Sequence, residues 1–141
     1  MKLVLKILIA LLIVSISSCS KSRIFSESDI QIIPKPAELQ LKKGVFEFSK
    51  NTKIVATNAF QQQIAKEFCD RMNTSSGFNL QIVEKVPSKN FIQFIINPEL
   101  GKEAYTLSVT STSIIIKASE NNGFMYGLET VRQLLPVTIE S

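Results

Sequence analysis

The sequence predicts an α+β domain of two layers, in which a mixed, mostly antiparallel sheet has two helices packed on one face. Three observations predict this fold. Short runs of alternating or continuous apolar residues indicate strands, and two segments with an apolar residue every three or four positions indicate amphipathic helices. The order of these elements is strands, helix, four strands, helix. Residues 30–136 contain all of them, a length that suits one domain.

The domain begins with extended segments. Residues 30–36 contain Pro34 and Pro36, which lack a backbone N–H, so an extended segment at an edge is expected there. Beyond it, alternating polar and apolar residues predict three short strands separated by polar turns. These strands cover residues 38–41, 45–48 and 53–56.

The first helix is the clearest element in the sequence. Asn58 is suited to cap its first turn, and Gln61 stands at the capping-box position. Gly77 is suited to a left-handed C-cap. The predicted apolar stripe consists of Phe60, Ile64, Ala65, Phe68, Cys69 and Met72.

Four strands and a second helix complete the domain. The strands are predicted at residues 80–83, 91–96, 105–109 and 113–118. The second of these is almost entirely apolar, which indicates a central position, and the last two are joined by a link of hairpin length. The second helix is predicted over residues 123–135 and ends before Pro136. Gly127 inside it indicates a close approach to the sheet or to the first helix.

Composition excludes several classes of function. The 141 residues include no His and two Cys, which excludes a Ser-His-Asp relay, a His-ligated metal site and a Cys₄ zinc site. We therefore predict no metal and no cofactor. The 16 basic and 12 acidic residues form no basic stripe, so nucleic-acid binding is not expected. The length excludes a complete α/β barrel, which needs about 250 residues.

The acidic residues do not form a convincing catalytic pair. Glu67 and Asp70 lie on the predicted outer face of the first helix, and Glu27 and Asp29 precede the domain. Solvated charges are expected at all four positions, because a glycosidase pair needs a cleft or strand ends.

Four other side chains deserve a structural test. Tyr105 and Tyr126 are able to stack on sugars, although packing in the core or at an edge is the stronger expectation. Arg132 is expected to be a surface charge. Cys69 is expected to be a small core residue, since no His is present to activate its thiol.

The N-terminus has the pattern of an export signal. Lys2 and Lys6 flank the start of an apolar run of about ten residues, too short to cross a bilayer core of roughly 30 Å. The run ends in Ile16-Ser17-Ser18-Cys19, which resembles a bacterial lipobox.

This pattern predicts three segments ahead of the domain. Residues 1–18 are a signal peptide, Cys19 carries the lipid, and residues 19–29 form a flexible tether. Ser20 after the Cys favours the outer membrane, by resemblance to other lipoproteins, with the periplasmic or the surface face left open. The alternative is an ordinary signal peptide, cleaved after small residues at Ser15/Ser17 or Ile16/Ser18.

Several stretches together resemble the N-terminal domain of bacterial β-N-acetylhexosaminidases of glycoside hydrolase family 20. The matching stretches are Ile32-Ile33-Pro34-Lys35-Pro36, Gly44-Val45-Phe46-Glu47-Phe48, residues 103–109 and residues 123–136. The last has the pattern Gly-x-x-Tyr-Gly-x-x-Thr-x-x-Gln-Leu-Leu.

The resemblance implies exo-hydrolysis of terminal N-acetylglucosamine or N-acetylgalactosamine by a substrate-assisted, retaining mechanism. The family's catalytic Asp-Glu pair lies in a barrel that follows this domain. The resemblance therefore places no catalytic residue in this chain, and residues 137–141 would begin the link to the barrel.

The first expected partner is thus a catalytic barrel, which lies in cis beyond Ser141 or is missing. The second is a membrane, which the chain reaches through the lipid. Glycan contact would occur only through the barrel. This interpretation predicts an exposed apolar patch on the second helix that includes Met125, Leu134 and Leu135. One alternative is a stand-alone lipid-anchored module that binds glycan or protein. A secreted protease pro-segment or inhibitor is a third possibility.

Overall fold

A computed structural model describes residues 25–136 as a five-stranded sheet with two helices. The predicted signal peptide, Cys19 and residues 137–141 lie outside the described residues. The strands are β1 (Lys53–Val55), β2 (Gln81–Val83), β3 (Phe91–Ile96), β4 (Tyr105–Val109) and β5 (Ser113–Ala118). The helices are α1 (Ala59–Ser76) and α2 (Asn121–Gln133), and a 3₁₀ turn covers Glu27–Asp29. The predicted α+β class is confirmed.

The sheet is mixed, as predicted, but the prediction that it is mostly antiparallel is wrong. The strand order is β2-β1-β3-β5-β4, with β3 in the central position that its sequence indicated. Three neighbouring pairs are parallel, and only β4 and β5 pair in antiparallel fashion. The reason is that α1 connects β1 to β2 as a crossover, and the β4–β5 hairpin returns β5 beside β3 in the parallel direction.

The strands predicted at residues 38–41 and 45–48 do not form; the structure has no strand between residues 30 and 52. An alternating pattern becomes a strand only where a partner completes the backbone hydrogen bonds. Here the aromatic side chains pack on the core instead: the ring centroids of Phe46 and Phe48 are 5.2 Å apart, and those of Phe48 and Phe68 are 6.4 Å apart.

Helix α1 begins and ends where the sequence predicts. The Asn58 side chain accepts a hydrogen bond from the backbone N–H of Gln61 at 2.9 Å. The Gln61 side chain accepts from the N–H of Thr57 at 3.0 Å, one residue before the position that a capping box uses. At the other end, Gly77 has φ = 68°, the left-handed conformation expected of a C-cap.

Helix α2 lies unusually close to the sheet because two glycines face it. A Cβ atom at Gly127 would overlap Cγ2 of Ile116 and lie 3.2 Å from a ring carbon of Tyr105. A Cβ atom at Gly123 would lie 2.5 Å from the carbonyl oxygen of Ala104. The close approach predicted from Gly127 is thus confirmed, and it is made to the sheet.

The core fills the space between the sheet and the helices. It is built from alternate residues of the strands and from the inner faces of α1 and α2. Its fully buried side chains include Ile54, Met72, Ile92, Ile116 and Val131. Within residues 25–136, neither helix is long and apolar enough to cross a bilayer.

Candidate interaction surface on the helical layer

A groove of about 310 Å³ lies between α1 and α2 on the side away from the sheet. It is lined by Ile64, Glu67, Phe68 and Arg71 from α1 and by Met125, Tyr126, Leu128 and Glu129 from α2. We call this feature the interhelical groove. Its floor is apolar, and charged side chains stand along its rim.

The apolar patch predicted on the second helix is present in part. Met125 is 47% exposed and Tyr126 is 43% exposed, and both line the interhelical groove. Leu134 is also exposed, at the end of α2. Leu135 is different from the prediction, because it is half-buried against the core. Tyr126 also belongs to the patch, although packing in the core or at an edge was the stronger expectation for its ring.

An ion network orders the rim of the interhelical groove. Arg132 Nε donates to Glu129 Oε1 at 2.6 Å, and Arg71 Nη1 lies 3.9 Å from Glu129 Oε2. Arg132 was expected to be a surface charge; its side chain is half-buried and paired with Glu129. Partly exposed ion pairs contribute little to stability, so the main consequence is that the carboxylate of Glu129 is held between two guanidinium groups.

A second contact lies at the end of α2, where the chain leaves the domain. The side-chain amide of Gln133 bonds both backbone groups of Ile33: Oε1 accepts from the N–H at 2.8 Å, and Nε2 donates to the carbonyl at 3.1 Å. We call this pair of hydrogen bonds the Gln133–Ile33 clasp. Sequence reasoning missed it because the two residues are 100 positions apart. The available signal was that both lie in stretches that resemble one family.

The two tyrosines have different environments. The hydroxyl groups of Tyr105 and Thr130 are hydrogen-bonded at 2.6 Å, and the Tyr105 ring packs against the core beneath α2. The expectation of packing is confirmed for Tyr105. Tyr126 instead presents its ring at the interhelical groove. The structure therefore leaves one exposed aromatic ring in this region.

The acidic pairs considered from the sequence are surface groups. Asp70 forms an exposed ion pair with Lys66 at 2.5 Å, and Glu67 accepts from Gln63 Nε2 at 3.2 Å. Asp29 caps the short 3₁₀ turn by accepting from the N–H of Ser26 at 2.8 Å. In the part of the chain that the structure describes, no cluster of three or more acidic or Cys side chains is placed to hold a metal ion.

Cys69 is a core residue, as expected. Its side chain is buried in the stripe of α1, and this burial raises the pKa of the thiol to about 11, with a further contribution from the neighbouring carboxylate of Asp70. The ammonium group of Lys66 acts in the opposite direction but is outweighed. A buried, protonated thiol is a poor nucleophile.

Comparison with known proteins places this fold among glycosidases. Residues 29–140 match the family described as glycosyl hydrolase family 20, domain 2. The β-hexosaminidase of Porphyromonas gingivalis is 31% identical over 118 residues, which cover 82% of this chain and 15% of that relative. The chain thus spans about a seventh of the curated relative that it matches.

Solved structures with the same fold are also glycosidases. The N-acetyl-β-hexosaminidase of Streptomyces plicatus superposes with a TM-score of 0.71 at 21% identity, covering 80% of this chain and 23% of the other. A chitobiase of Flavobacterium johnsoniae gives a TM-score of 0.60 at 23% identity, covering 80% and 19%. At these identities the superpositions establish the fold alone.

Proposed function

Because this chain belongs to glycosyl hydrolase family 20 through its domain 2, we propose that it is the accessory domain of a β-N-acetylhexosaminidase. In this proposal a catalytic barrel follows Ser141 in the same polypeptide and docks on the helical layer. The barrel carries the Asp-Glu pair and removes terminal N-acetylhexosamine residues from glycans. The domain described above contributes a rigid support, with no group of its own in the reaction.

The observation that carries this proposal is the interhelical groove. Its floor and walls expose Met125 and Tyr126, while Glu129 at its rim is already paired with Arg132. An exposed apolar surface with a polar rim is typical of a docking site. Full burial of a Met side chain contributes about 1.5–3 kcal/mol, so covering the exposed half of Met125 contributes about 1 kcal/mol.

The size of the known relatives agrees with a large partner in cis. The chain corresponds to 15% of the Porphyromonas gingivalis β-hexosaminidase and to 23% of the Streptomyces plicatus enzyme. A complete α/β barrel needs about 250 residues, which these relatives have room for beyond the matched part.

The proposal includes a lipid anchor at the bacterial outer membrane. It rests on the sequence alone: the lipobox-like run before Cys19, and Ser20 after it. Acylated Cys19 would hold the domain at the membrane, and residues 20–29 would act as the tether. Mass spectrometry of the mature N-terminus tests this part, since an unmodified N-terminus at any other residue would exclude it.

The size of the native polypeptide tests the main proposal. An antibody raised against residues 30–136 should detect, in the membrane fraction, a band several-fold larger than 15.7 kDa. The purified large protein should hydrolyse a chromogenic N-acetylglucosaminide. A single band near the size of this chain would contradict the proposal.

Variants of the groove test its role in docking. In the large protein, Tyr126→Lys should lower the thermal stability of the barrel, because a charge is then buried in the interface. Val86→Lys is the matched control, since Val86 is 53% exposed in the loop between β2 and β3 and does not line the interhelical groove. Equal melting temperatures for both variants would show that the groove is not the interface.

A stand-alone binding module is the second candidate. It is favoured by the exposed ring of Tyr126 beside the polar side chains of Glu67 and Arg71, a combination that suits a sugar. Titration of the 141-residue chain with an N-acetylglucosamine oligosaccharide, followed by NMR, tests it. Shifts confined to the groove and lost in Tyr126→Ala would support this candidate.

A further inference from the structure

We propose that the side chain of Ile33 contacts the domain that follows Pro136 in the same chain. Gln133 is the positioning residue that holds Ile33 in place for this contact. This inference rests on the proposed function, because it requires a following domain. It adds a second docking point, at the C-terminal end of α2. Its ligand is an apolar surface of the following domain in the same chain.

The first step of the argument is the exposure of Ile33. At 81%, it is the most exposed large apolar side chain in residues 25–136. Its neighbour Ile32 is buried, so the backbone here is anchored with one isoleucine directed inward and the next directed to solvent. Single exposed apolar residues are common on protein surfaces, and exposure alone would carry no inference.

The second step is that the backbone of Ile33 is fixed. The amide of Gln133 satisfies both the N–H and the carbonyl of this one residue, at 2.8 and 3.1 Å. A two-point hydrogen bond from a planar amide sets the orientation of the peptide as well as its position. The backbone and the Cα–Cβ direction of Ile33 are therefore fixed before any partner binds, which reduces the entropy cost of docking.

The third step identifies the occupant. Gln133 is the last residue of α2, three positions before Pro136, and a chain advances at most about 3.5 Å per residue. Pro136 therefore lies within about 10 Å of the Gln133 Cα, and whatever follows Pro136 must start within about 14 Å of it. The family match continues to residue 140, past this point. Leu134, also exposed, lies between the clasp and the exit.

The clasp also couples the two ends of the domain. It fastens the segment that comes from the predicted tether to the helix end that leads to the following domain. The position of Ile33 relative to the start of the following domain then depends on Gln133.

Cysteine labelling tests the proposal. Ile33→Cys, in a Cys19→Ser background, is compared in the 141-residue chain and in the native-length polypeptide, with a maleimide as the probe. Cys69 is buried and does not compete. We expect labelling to be slower by about tenfold or more in the longer protein, because the rate follows the exposure of the thiol. Val86→Cys is the control and should label at similar rates in both.

Gln133 is tested in the longer protein. Gln133→Leu removes both hydrogen bonds and should restore fast labelling of Ile33→Cys. Gln133→Glu keeps the acceptor for the Ile33 N–H and should give an intermediate rate. A variant that merely loosened the whole fold would also speed labelling at Cys69, which therefore serves as an internal control.

The outcomes separate the two proposals. Equal labelling of Ile33→Cys in both lengths of protein, with hydrolytic activity present in the longer one, overturns this inference and leaves the proposed function standing. Slow labelling in the 141-residue chain also overturns it, because Ile33 would then be covered without a partner. If no longer polypeptide exists, both proposals fail.

Discussion

The two helices cover the same face of one sheet but differ in the capping of their ends and in the polarity of their outer faces. Helix α1 has side-chain caps at its start and a glycine cap at its end, and its outer face carries exposed charges such as the Lys66–Asp70 pair. Helix α2 has no side-chain hydrogen bond at its N-cap, Glu120, and it exposes Met125 and Tyr126.

The difference indicates that α1 is closed by its own caps and charged side chains, whereas α2 leaves apolar side chains exposed on the side away from the sheet. The inner side of α2 approaches the sheet through Gly123 and Gly127, so close that a methyl group does not fit. Its outer side presents apolar surface next to the point where the chain leaves the domain. The absence of a side-chain cap on α2 is compatible with a stable helix, because most helical stability comes from packing of the apolar face.

The largest expected effect separates the two sides of α2. Phe124 is buried, with its ring centroid 5.6 Å from that of Phe94 in a T-shaped contact. Phe124→Ala should lower the free energy of unfolding of the 141-residue chain by about 3–5 kcal/mol. Met125→Ala, one residue along, should change it by less than about 0.5 kcal/mol. Urea unfolding followed by circular dichroism measures both.

The same pair of variants sharpens the comparison in a longer protein. There, Met125→Ala should become destabilising if the side chain is covered by a barrel, as the proposed docking requires. An equal, small effect in both lengths would mean that the outer side of α2 is ordinary surface.

The next effect concerns the close approach of α2 to the sheet. Gly127→Ala should cost about 1–3 kcal/mol, because the new methyl group overlaps Ile116 and the helix must shift. Gly101→Ala is the matched control: its Cβ would meet only Ala104, at an ordinary 3.8 Å. Thermal unfolding of the two variants gives the comparison. Gly127→Ala as stable as the wild type would show that the interface is loosely packed.

The sequence was informative where the determinants are local, and less so where they are not. Asn58, the stripe from Phe60 to Met72 and Gly77 lie within one helix, and each had the predicted role. The hairpin of β4 and β5 was also local, as one short link decides it. The parallel pairing of β1 with β3 is not local, because it depends on the path that the chain takes through α1 and β2 before β3 lies beside β1.

The candidate interaction surface shows the same limit. The predicted patch on the second helix was right for Met125 and Leu134, which are exposed, but wrong for Leu135, which packs against the core after the helix ends at Gln133. The Gln133–Ile33 clasp joins two ends of the domain, and no periodicity in the sequence contains such a contact.

A smaller effect is expected at the cap of α1. Asn58→Ala removes the hydrogen bond to the N–H of Gln61 and should cost about 1 kcal/mol. Glu120→Ala at the corresponding position of α2 should be close to neutral, since that side chain makes no cap hydrogen bond. Chemical unfolding of the two variants tests the difference between the helices directly. Similar losses would mean that α2 depends on its N-terminal residue as much as α1 does.

The smallest expected effect is the pH dependence of stability that comes from the thiol of Cys69, on the inner face of α1. It is absent at neutral pH and appears only at alkaline pH. Burial raises its pKa from 9.0 to about 11 in the folded chain, so the unfolded chain loses this proton first as the pH rises. The stability associated with the neutral thiol is therefore complete below pH 9 and is lost progressively between pH 9 and about pH 11.

The direction of this pKa shift gives a prediction about how stability changes with pH. The cavity left by Cys69→Ala lowers stability equally at every pH, so it does not affect the prediction. The free energy of unfolding should fall more steeply in the wild type than in Cys69→Ala between pH 8 and pH 10, while the difference between the two proteins stays constant from pH 6 to pH 8. Groups other than Lys66 and Asp70, whose charges act on this thiol, contribute equally to both proteins and cancel. Parallel pH profiles would mean that water reaches the thiol in the folded state. The inner face of α1 would then be less tightly packed than the burial of Cys69 indicates.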